Sequence, residues 1–151
     1  MFYFISKGVA NAWLESFKAD VKKYSVTDVD IKLHNGFVFV DIPSNILFTT
    51  GSATLSSKSI EMLGGIARLL EAQPNLNFLI EGHTDNRGDS VQNKLLSLKR
   101  ANTIATYLIS KGIDSNRIKA IGLGGTKPIS DNATEEGRIK NRRTSFTITI
   151  P

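Results

Sequence analysis

Hydrophobic residues recur at helical spacing in three segments of the chain. Spacings of three and four residues predict amphipathic helices near the N-terminus, after Ser56 and after Ser97. Ser56 or Ser57 can cap the start of the second helix, and Pro74 prevents it from continuing. Ser97 is the predicted N-cap of the third helix, which Gly112 ends. The hydrophobic residues that form one face, or seam, of each predicted helix are Ala10, Leu14, Phe17, Val21 and Tyr24 in the first, Ile60, Leu63, Ala67 and Leu70 in the second, and Leu98, Ala101, Ala105 and Leu108 in the third.

A spacing of two predicts β-strands elsewhere in the chain. In residues 29–42, two such runs flank Asn35 and Gly36, a pair typical of a hairpin turn. The second run is apolar on both faces from Phe37 to Val40, so we expect a strand that is covered on both sides. Strands and helices then alternate along the chain, which indicates a layered fold with helices packed against one sheet. Further strands are predicted at 76–82, 117–122 and 144–150, and a short helix at 134–141.

The length of the chain allows one domain with a short appendage. Its 151 residues suffice for one ordinary hydrophobic core. The absence of cysteine excludes a disulfide framework and a thiolate metal site. Residues 1–17 lack a basic region followed by about seven apolar residues, so they do not form an intact secretory signal. No stretch approaches the roughly 20 apolar residues that would span a bilayer.

A net charge of +5 and a pI near 9.6 are typical of proteins with anionic partners. The basic residues are dispersed in small groups, however, and aromatic residues that could stack on bases make up only 8% of the chain. The charge distribution therefore disfavours nucleic acid as a partner.

The segment EGHTDNRGDSVQNKLLSLKRAN, residues 81–102, carries two oppositely charged candidates for a binding site, Asp85 and Arg100. If a helix starts at Ser97, Arg100 lies in its first turn, where a cation opposes the helix dipole by roughly 0.3–1 kcal/mol. Arg100 and the free N–H groups of that helix start would together attract an anion such as a carboxylate. Asp85 follows a strand, where an aspartate often stabilises a turn. The residues alone leave three roles open for Asp85: it stabilises a turn, it forms a salt bridge with Arg100, or it binds a zwitterion together with Arg100.

Other chemistries have weaker support in the sequence. His83, Asp85 and Asp89 resemble part of a metal site, but the only other histidine, His34, lies at the hairpin. The chain contains neither a cysteine nucleophile nor a G-x-S-x-G motif. The glycines of GLGG at 122–125 lack the lysine of a phosphate-binding loop and are interpreted as a turn. The sequence therefore favours a binding protein over an enzyme.

Several segments, in order and at matching spacings, resemble the OmpA-like C-terminal domain, a family that includes the peptidoglycan-associated lipoproteins and the motility stator protein MotB. The resemblance covers residues 37–151 and rests on ILFTTGSATLSSKS, HTDNRG, LSLKRAN, RIKAIGLGGTKP and NRR. It implies an α+β fold: a two-layer α/β sandwich of βαβαβ type, with helices packed on one mixed sheet and preceded by an N-terminal helix. We expect a domain at 29–151 and a helical appendage or linker at 1–28, which lies on the domain or extends as a coiled-coil stalk.

The resemblance also implies a function, noncovalent binding of peptidoglycan without catalysis or cofactor. In such domains the aspartate of the HTD motif and the arginine of the LS-x-x-RA motif hold the free amine and carboxylate of meso-diaminopimelate in the stem peptide. The matching residues are Asp85 and Arg100. Supporting contacts would come from Gly51, Asn93, Arg142 and the backbone of Arg87.

Two positions depart from the pattern of the family. Thr49 follows Phe48 where many members have Asp, and Gly51 stands where Asn is common, so a side-chain contact is lost there. Neither departure affects Asp85 or Arg100.

The resemblance further implies a periplasmic domain of an outer-membrane-associated, less often inner-membrane-associated, protein. Such a domain is tethered by parts absent from this chain, and a homodimer is one assembly open to it. The alternative function is charge-driven binding of an anionic polymer, either nucleic acid or an envelope glycan. The third function considered is that of a metal-dependent hydrolase.

Overall fold

The computed structural model of the chain describes residues 30–34 and 37–149, together with five positions in the N-terminal segment. Those five positions, 12, 15, 16, 18 and 19, are helical. The hydrophobic seam predicted at Ala10, Leu14, Phe17, Val21 and Tyr24 lies outside the described residues, as does the predicted hairpin turn at Asn35 and Gly36.

Five strands form one mixed sheet in the order β1-β2-β5-β3-β4. Strands β3 and β4 run parallel, whereas β1 with β2, β2 with β5 and β5 with β3 are antiparallel. The predicted fold, helices packed on one mixed sheet, is confirmed. The strands are β1 at Asp30–His34, β2 at Phe37–Pro43, β3 at Asn77–His83, β4 at Ile118–Gly124 and β5 at Arg143–Thr149.

Three of the four helices between residues 44 and 141 begin at side chains that accept hydrogen bonds from the first free N–H groups, and α1 has no such cap. Ser56, Asp89 and Thr134 accept from Ser59, Gln92 and Gly137, respectively. A single 3₁₀ turn precedes β4. The helices are α1 at Ser44–Leu47, α2 at Ser57–Ala72, α3 at Ser90–Ser110 and α4 at Glu135–Asn141.

The start of α3 differs from the prediction. The helix begins at Ser90, with Asp89 as its N-cap, and not at Ser97. Its first two turns are mostly exposed, and the prediction, which began from the seam at Leu98, therefore placed the start too late. Arg100 therefore lies at the middle of a 21-residue helix, and the expected anion site at a helix start beside Arg100 is wrong. Ser97 instead accepts a hydrogen bond from the N–H of Gly124.

Two glycines allow α3 to lie directly on the sheet. A Cβ atom at Gly82 of β3 would stand 2.2 Å from the carbonyl oxygen of Ser97, and one at Gly122 of β4 would stand 2.4 Å from the backbone nitrogen of Leu98. The turn predicted at GLGG is thus partly wrong, because β4 continues to Gly124. The close contact fixes α3, and with it Arg100, against the ends of β3 and β4.

The hydrophobic core lies between the sheet and the helices. Val38 and Val40 of β2 are buried, but Phe37 and Phe39 are 39% and 38% exposed. The expectation that β2 is covered on both faces is therefore wrong, because the described helices pack on one face of the sheet. Ile60, expected on the buried seam of α2, is likewise exposed.

Candidate functional site

Asp85 lies in the loop between β3 and α3, where its side chain is almost completely buried. Its exposed fraction is 7%. Oδ1 accepts a hydrogen bond of 2.9 Å from the N–H of Arg87, two residues on, which is a turn contact. Oδ2 accepts a hydrogen bond of 2.7 Å from Nη1 of Arg142. Asp85 therefore combines a turn role with an ion pair, and the partner in that pair is Arg142.

The contacts of Asp85 keep it ionised. Burial alone would raise the pKa of its carboxyl group, but the hydrogen bonds from Arg142 and the Arg87 N–H, with the charges of both arginines, outweigh burial. The pKa of Asp85 therefore lies below its ordinary value. A carboxylate with this pKa is negatively charged at neutral pH and can accept a hydrogen bond from an ammonium group.

Arg142, directly after α4, connects Asp85 to a second carboxylate. Its Nη2 donates a hydrogen bond of 2.8 Å to Oε1 of Glu135. Oε2 of Glu135 accepts from Nε of Arg138 at 3.0 Å. The Arg87 side chain lies 4.0 Å from a carboxylate oxygen of both Asp85 and Glu135. Burial lowers the pKa of Arg142, but its bonds to Glu135 and Asp85 more than compensate, so the pKa is raised.

Arg100 lies at a second point of the site, against the loop between α1 and α2. It is 7% exposed, and its Nε donates a hydrogen bond of 2.9 Å to the carbonyl oxygen of Ser52. Its guanidinium carbon lies 5.2 Å from the ring centre of Phe48. Burial, and then the charge of Arg142, lower the pKa of Arg100. Among the described residues, no carboxylate oxygen lies within 4.0 Å of this guanidinium.

The residues predicted for the site fall into two groups. Asp85, Arg87 and Arg142 share one network, and Nδ2 of Asn93 donates a hydrogen bond of 2.8 Å to the carbonyl oxygen of Arg87. Arg100 and the loop of Gly51, where φ is 68°, form the other group. Asp85 and Arg100 make no ion pair within 4.0 Å in the described part of the chain, so a direct salt bridge between them is excluded there.

Three contacting residues were not predicted from the sequence: Phe48 and Ser52, which contact Arg100, and Glu135, which binds Arg142. The contacts of Phe48 and Ser52 are long-range and have no local signal. Glu135 and Arg138 are three residues apart, a spacing that brings side chains together on one helical face, so their ion pair could have been predicted.

A groove of about 500 Å³ opens beside Asp85. It runs between the first turns of α3 and the end of β4, and its lining includes Val91, Leu95 and Leu98. Asp85 is itself one of the residues that line this groove.

The residues considered for a metal site do not form one. In the part of the chain that the structure describes, no three His, Asp or Glu side chains are grouped so that they could hold a metal ion. His83 is buried, and its Nε2 lies 3.6 Å from a carboxylate oxygen of Glu81.

Comparison with known proteins identifies the family of the chain. The family model described as "OmpA family" matches residues 47–142, a segment that contains every residue of the two groups above. The chain belongs to the OmpA family. The predicted resemblance is confirmed, and the site residues lie on the segment that the family shares.

Among relatives of the OmpA family, the probable lipoprotein YiaD of Escherichia coli (strain K12) is 35% identical over 122 residues, which are 81% of this chain and 56% of that protein. The peptidoglycan-binding protein ArfA of Mycobacterium tuberculosis is 40% identical over 103 residues, 68% of this chain and 32% of that protein. The chain thus spans about half of the first relative and a third of the second. The solved structure of the cell wall anchor of the T6SS from Pseudomonas aeruginosa is 31% identical, with a TM-score of 0.78 and coverage of 91% of this chain and 97% of that chain.

The predicted location, a periplasmic domain of an outer-membrane-associated protein, is confirmed because relatives of the chain include a lipoprotein and outer-membrane proteins. No helix among the described residues is both long and apolar enough to cross a membrane.

Proposed function

We propose that the chain binds peptidoglycan noncovalently through the free end of meso-diaminopimelate in the stem peptide, and so anchors a cell-envelope protein to the wall. Asp85 accepts hydrogen bonds from the ammonium group of that end, and Arg100 binds its carboxylate. Asn93, Arg142, the backbone of Arg87 and the loop of Gly51 support the two contacts. The chain acts as a binding module, without a catalytic step or a cofactor.

The observation that carries the proposal is that Arg100 is buried without a carboxylate partner among the described residues. A buried guanidinium that has no carboxylate within 4.0 Å in the described chain lacks the partner that burial of a charge requires. Its planar fork matches a carboxylate with two parallel hydrogen bonds. Arg142 interacts with both Arg100 and Asp85, so the two contact points lie in one electrostatic site.

The relatives support the same class of ligand. One is named as a peptidoglycan-binding protein, and one solved structure is titled as a cell wall anchor. The third residue of the stem peptide is the part of peptidoglycan that presents a free amine and a free carboxylate on one carbon. This zwitterion complements a site with a carboxylate at one point and a guanidinium at the other.

Sedimentation with insoluble peptidoglycan tests the proposal. Asp85→Asn keeps an oxygen for the Arg87 N–H but removes the negative charge, and Arg100→Ala removes the guanidinium. Each should weaken binding tenfold or more, because a charge-assisted hydrogen bond contributes about 1.5–3 kcal/mol. Lys99→Ala, which removes an exposed charge next to Arg100, should sediment like the unmodified protein.

Sedimentation of both site variants at the level of the Lys99→Ala control would overturn the proposal. Thermal midpoints of all variants should be measured alongside, since a variant that unfolds would lose binding for another reason. Three arginines, Arg87, Arg138 and Arg142, lie within 4.0 Å of one or both of two carboxylates, and this excess of positive charge also favours a second candidate, charge-driven binding of an anionic polymer. Binding that falls steeply with salt but does not depend on Asp85 would indicate that function.

A further inference from the structure

Positive side chains outnumber negative side chains around Asp85. Arg87, Arg138 and Arg142 each lie within 4.0 Å of one or both of the carboxylates of Asp85 and Glu135, and Arg100 is close enough for the charge of Arg142 to lower its pKa. Two carboxylates thus offset four guanidinium groups. A site with this excess of positive charge attracts anions and repels cations.

We infer that Glu135 is a specificity-determining residue, which makes this site accept a zwitterion and not simply an anion. The inference rests on the proposed function and deepens it. Glu135 contacts no ligand in this proposal. It acts through Arg142, whose Nη1 is bonded to Asp85 and whose Nη2 is bonded to Glu135.

The reason is the position of Arg142. An ammonium group that binds to Asp85 must approach the guanidinium that already donates to the same carboxylate at 2.7 Å. Two like charges in such proximity repel each other. Glu135 reduces this repulsion because it places a negative charge on the other side of the same guanidinium, at 2.8 Å. It also holds Arg142 by a second bond, so that Arg142 cannot turn both nitrogens to Asp85.

Removal of Glu135 should therefore change selectivity in two directions. Only Asp85 would then offset the four arginines, so an ammonium group would bind less well and a carboxylate at Arg100 would bind as well or better. A residue that merely supported the fold would affect both ligands alike. The Glu135 side chain is 53% exposed, which makes a purely structural effect of the substitution small.

The chain provides a matched control in Glu136. Both glutamates lie in the first turn of α4, so each interacts in the same way with the helix dipole. Glu136 makes no ion pair within 4.0 Å in the described part of the chain, whereas Glu135 makes three. Glu136→Gln removes the same charge from the same helix without loss of a contact to Arg142.

Calorimetric titration of the full chain with two peptides tests the inference. One is the stem tripeptide that ends in meso-diaminopimelate, and the other carries 2-aminopimelate there, which has the far carboxylate but lacks the far amine. Glu135→Gln should bind the first about three- to fivefold more weakly and the second at least as tightly, so that the preference for the amine falls by up to roughly tenfold. The difference should shrink in high salt, and Glu136→Gln should keep the original preference.

An equal loss of affinity for both peptides in Glu135→Gln would overturn the inference, because that pattern indicates a structural role. An unchanged preference would overturn it as well, and would leave the proposed function intact if Asp85→Asn still abolished binding. Failure of the unmodified chain to bind the diaminopimelate peptide would overturn the proposed function together with the inference.

Discussion

Arg100 combines three properties at the scale of a single residue. It is buried, its Nε binds a backbone carbonyl 48 positions away, and its guanidinium faces an aromatic ring. The bond to Ser52 and the ring of Phe48 hold the guanidinium plane in one orientation. Among the described residues, Arg100 donates a hydrogen bond through Nε only, so under the proposed function the two terminal nitrogens would bind the ligand.

We expect Arg100→Lys to lose binding to nearly the same extent as Arg100→Ala. Lysine keeps the charge, but an ammonium group cannot bind Ser52 and form two parallel bonds to a carboxylate at the same time. The affinity for a diaminopimelate peptide, measured by calorimetry, should fall about tenfold or more. Affinity near that of the unmodified chain would mean that Arg100 acts only as a diffuse charge.

His83 is a buried histidine whose pKa links the stability of the fold to pH. Its side chain is 2% exposed, and burial, followed by the charges of Arg143 and Lys127, lowers its pKa from 6.5 to about 4. The unfolded chain therefore binds a proton more tightly than the folded chain does. The contribution of neutral His83 to the free energy of unfolding is fully present above about pH 6.5 and is lost as the pH falls towards 4. In that range the unfolded chain binds a proton at His83 and the folded chain does not.

This linkage should lower the free energy of unfolding by roughly 3 kcal/mol at most between pH 6.5 and 4. Urea unfolding at a series of pH values would measure it. His83→Gln should flatten this part of the curve, whereas His34→Gln, which keeps the buried histidine, should retain it. Equal slopes in the unmodified chain and in His83→Gln would contradict the assignment.

At the scale of elements, the contact of α3 with the sheet determines where the site forms. Gly82 and Gly122 bring the helix backbone against β3 and β4, and α3 carries Arg100 at its middle. The loop of Asp85 connects β3 to the same helix. A shift of α3 relative to the sheet would therefore move Arg100 relative to Asp85.

Gly122→Ala should both destabilise the fold and weaken binding. The new Cβ would stand 2.4 Å from a backbone nitrogen of α3, which a flexible side chain cannot relieve, so we expect a loss of about 1–3 kcal/mol in unfolding free energy. Gly64→Ala on α2 is the control, since its Cβ would meet nothing closer than 3.8 Å. That substitution should stabilise the helix by about 0.5–1 kcal/mol. Thermal or urea unfolding of both variants measures the contrast, and equal stability would show that α3 can move away without cost.

At the scale of the whole molecule, the proposed site draws its charged groups from three separate elements. Asp85 with its loop comes from the end of β3, Arg142 from the end of α4, and Arg100 from α3. The small number of polar contacts limits the affinity of one chain, because association costs roughly 4 kcal/mol or more. We expect a dissociation constant on the order of micromolar to millimolar for each site. Stable anchoring would then come from many copies of the protein bound to one polymer.

The proposed site should distinguish stem peptides by their third residue. A peptide with lysine there offers an amine to Asp85 but no carboxylate to Arg100, so the buried guanidinium would stay without a partner. We expect binding at least about tenfold weaker than for the matched diaminopimelate peptide, measured by calorimetric titration. Amidation of the far carboxylate should have a similar effect. Equal affinities for the two peptides would exclude a role of Arg100 in reading the carboxylate.

The sequence alone determined the elements whose signals are local. The cap of α2 and its seam apart from Ile60, the strands β3 and β5, and the short helix α4 were all predicted, because hydrophobic periodicity and capping residues act within a few positions. The motif segments also sufficed to identify the family and to select Asp85 and Arg100 as candidates. None of these conclusions required knowledge of which elements lie side by side.

Only the tertiary structure decided which groups meet. Asp85 binds Arg142, 57 positions away, and Arg100 binds Ser52, 48 positions away. The first contact depends on β5 lying next to β3 in the sheet, which is a property of strand order and not of local sequence. Long-range ion pairs leave little trace in hydrophobic spacing, since spacing indicates which face of an element is buried and not which element lies against it.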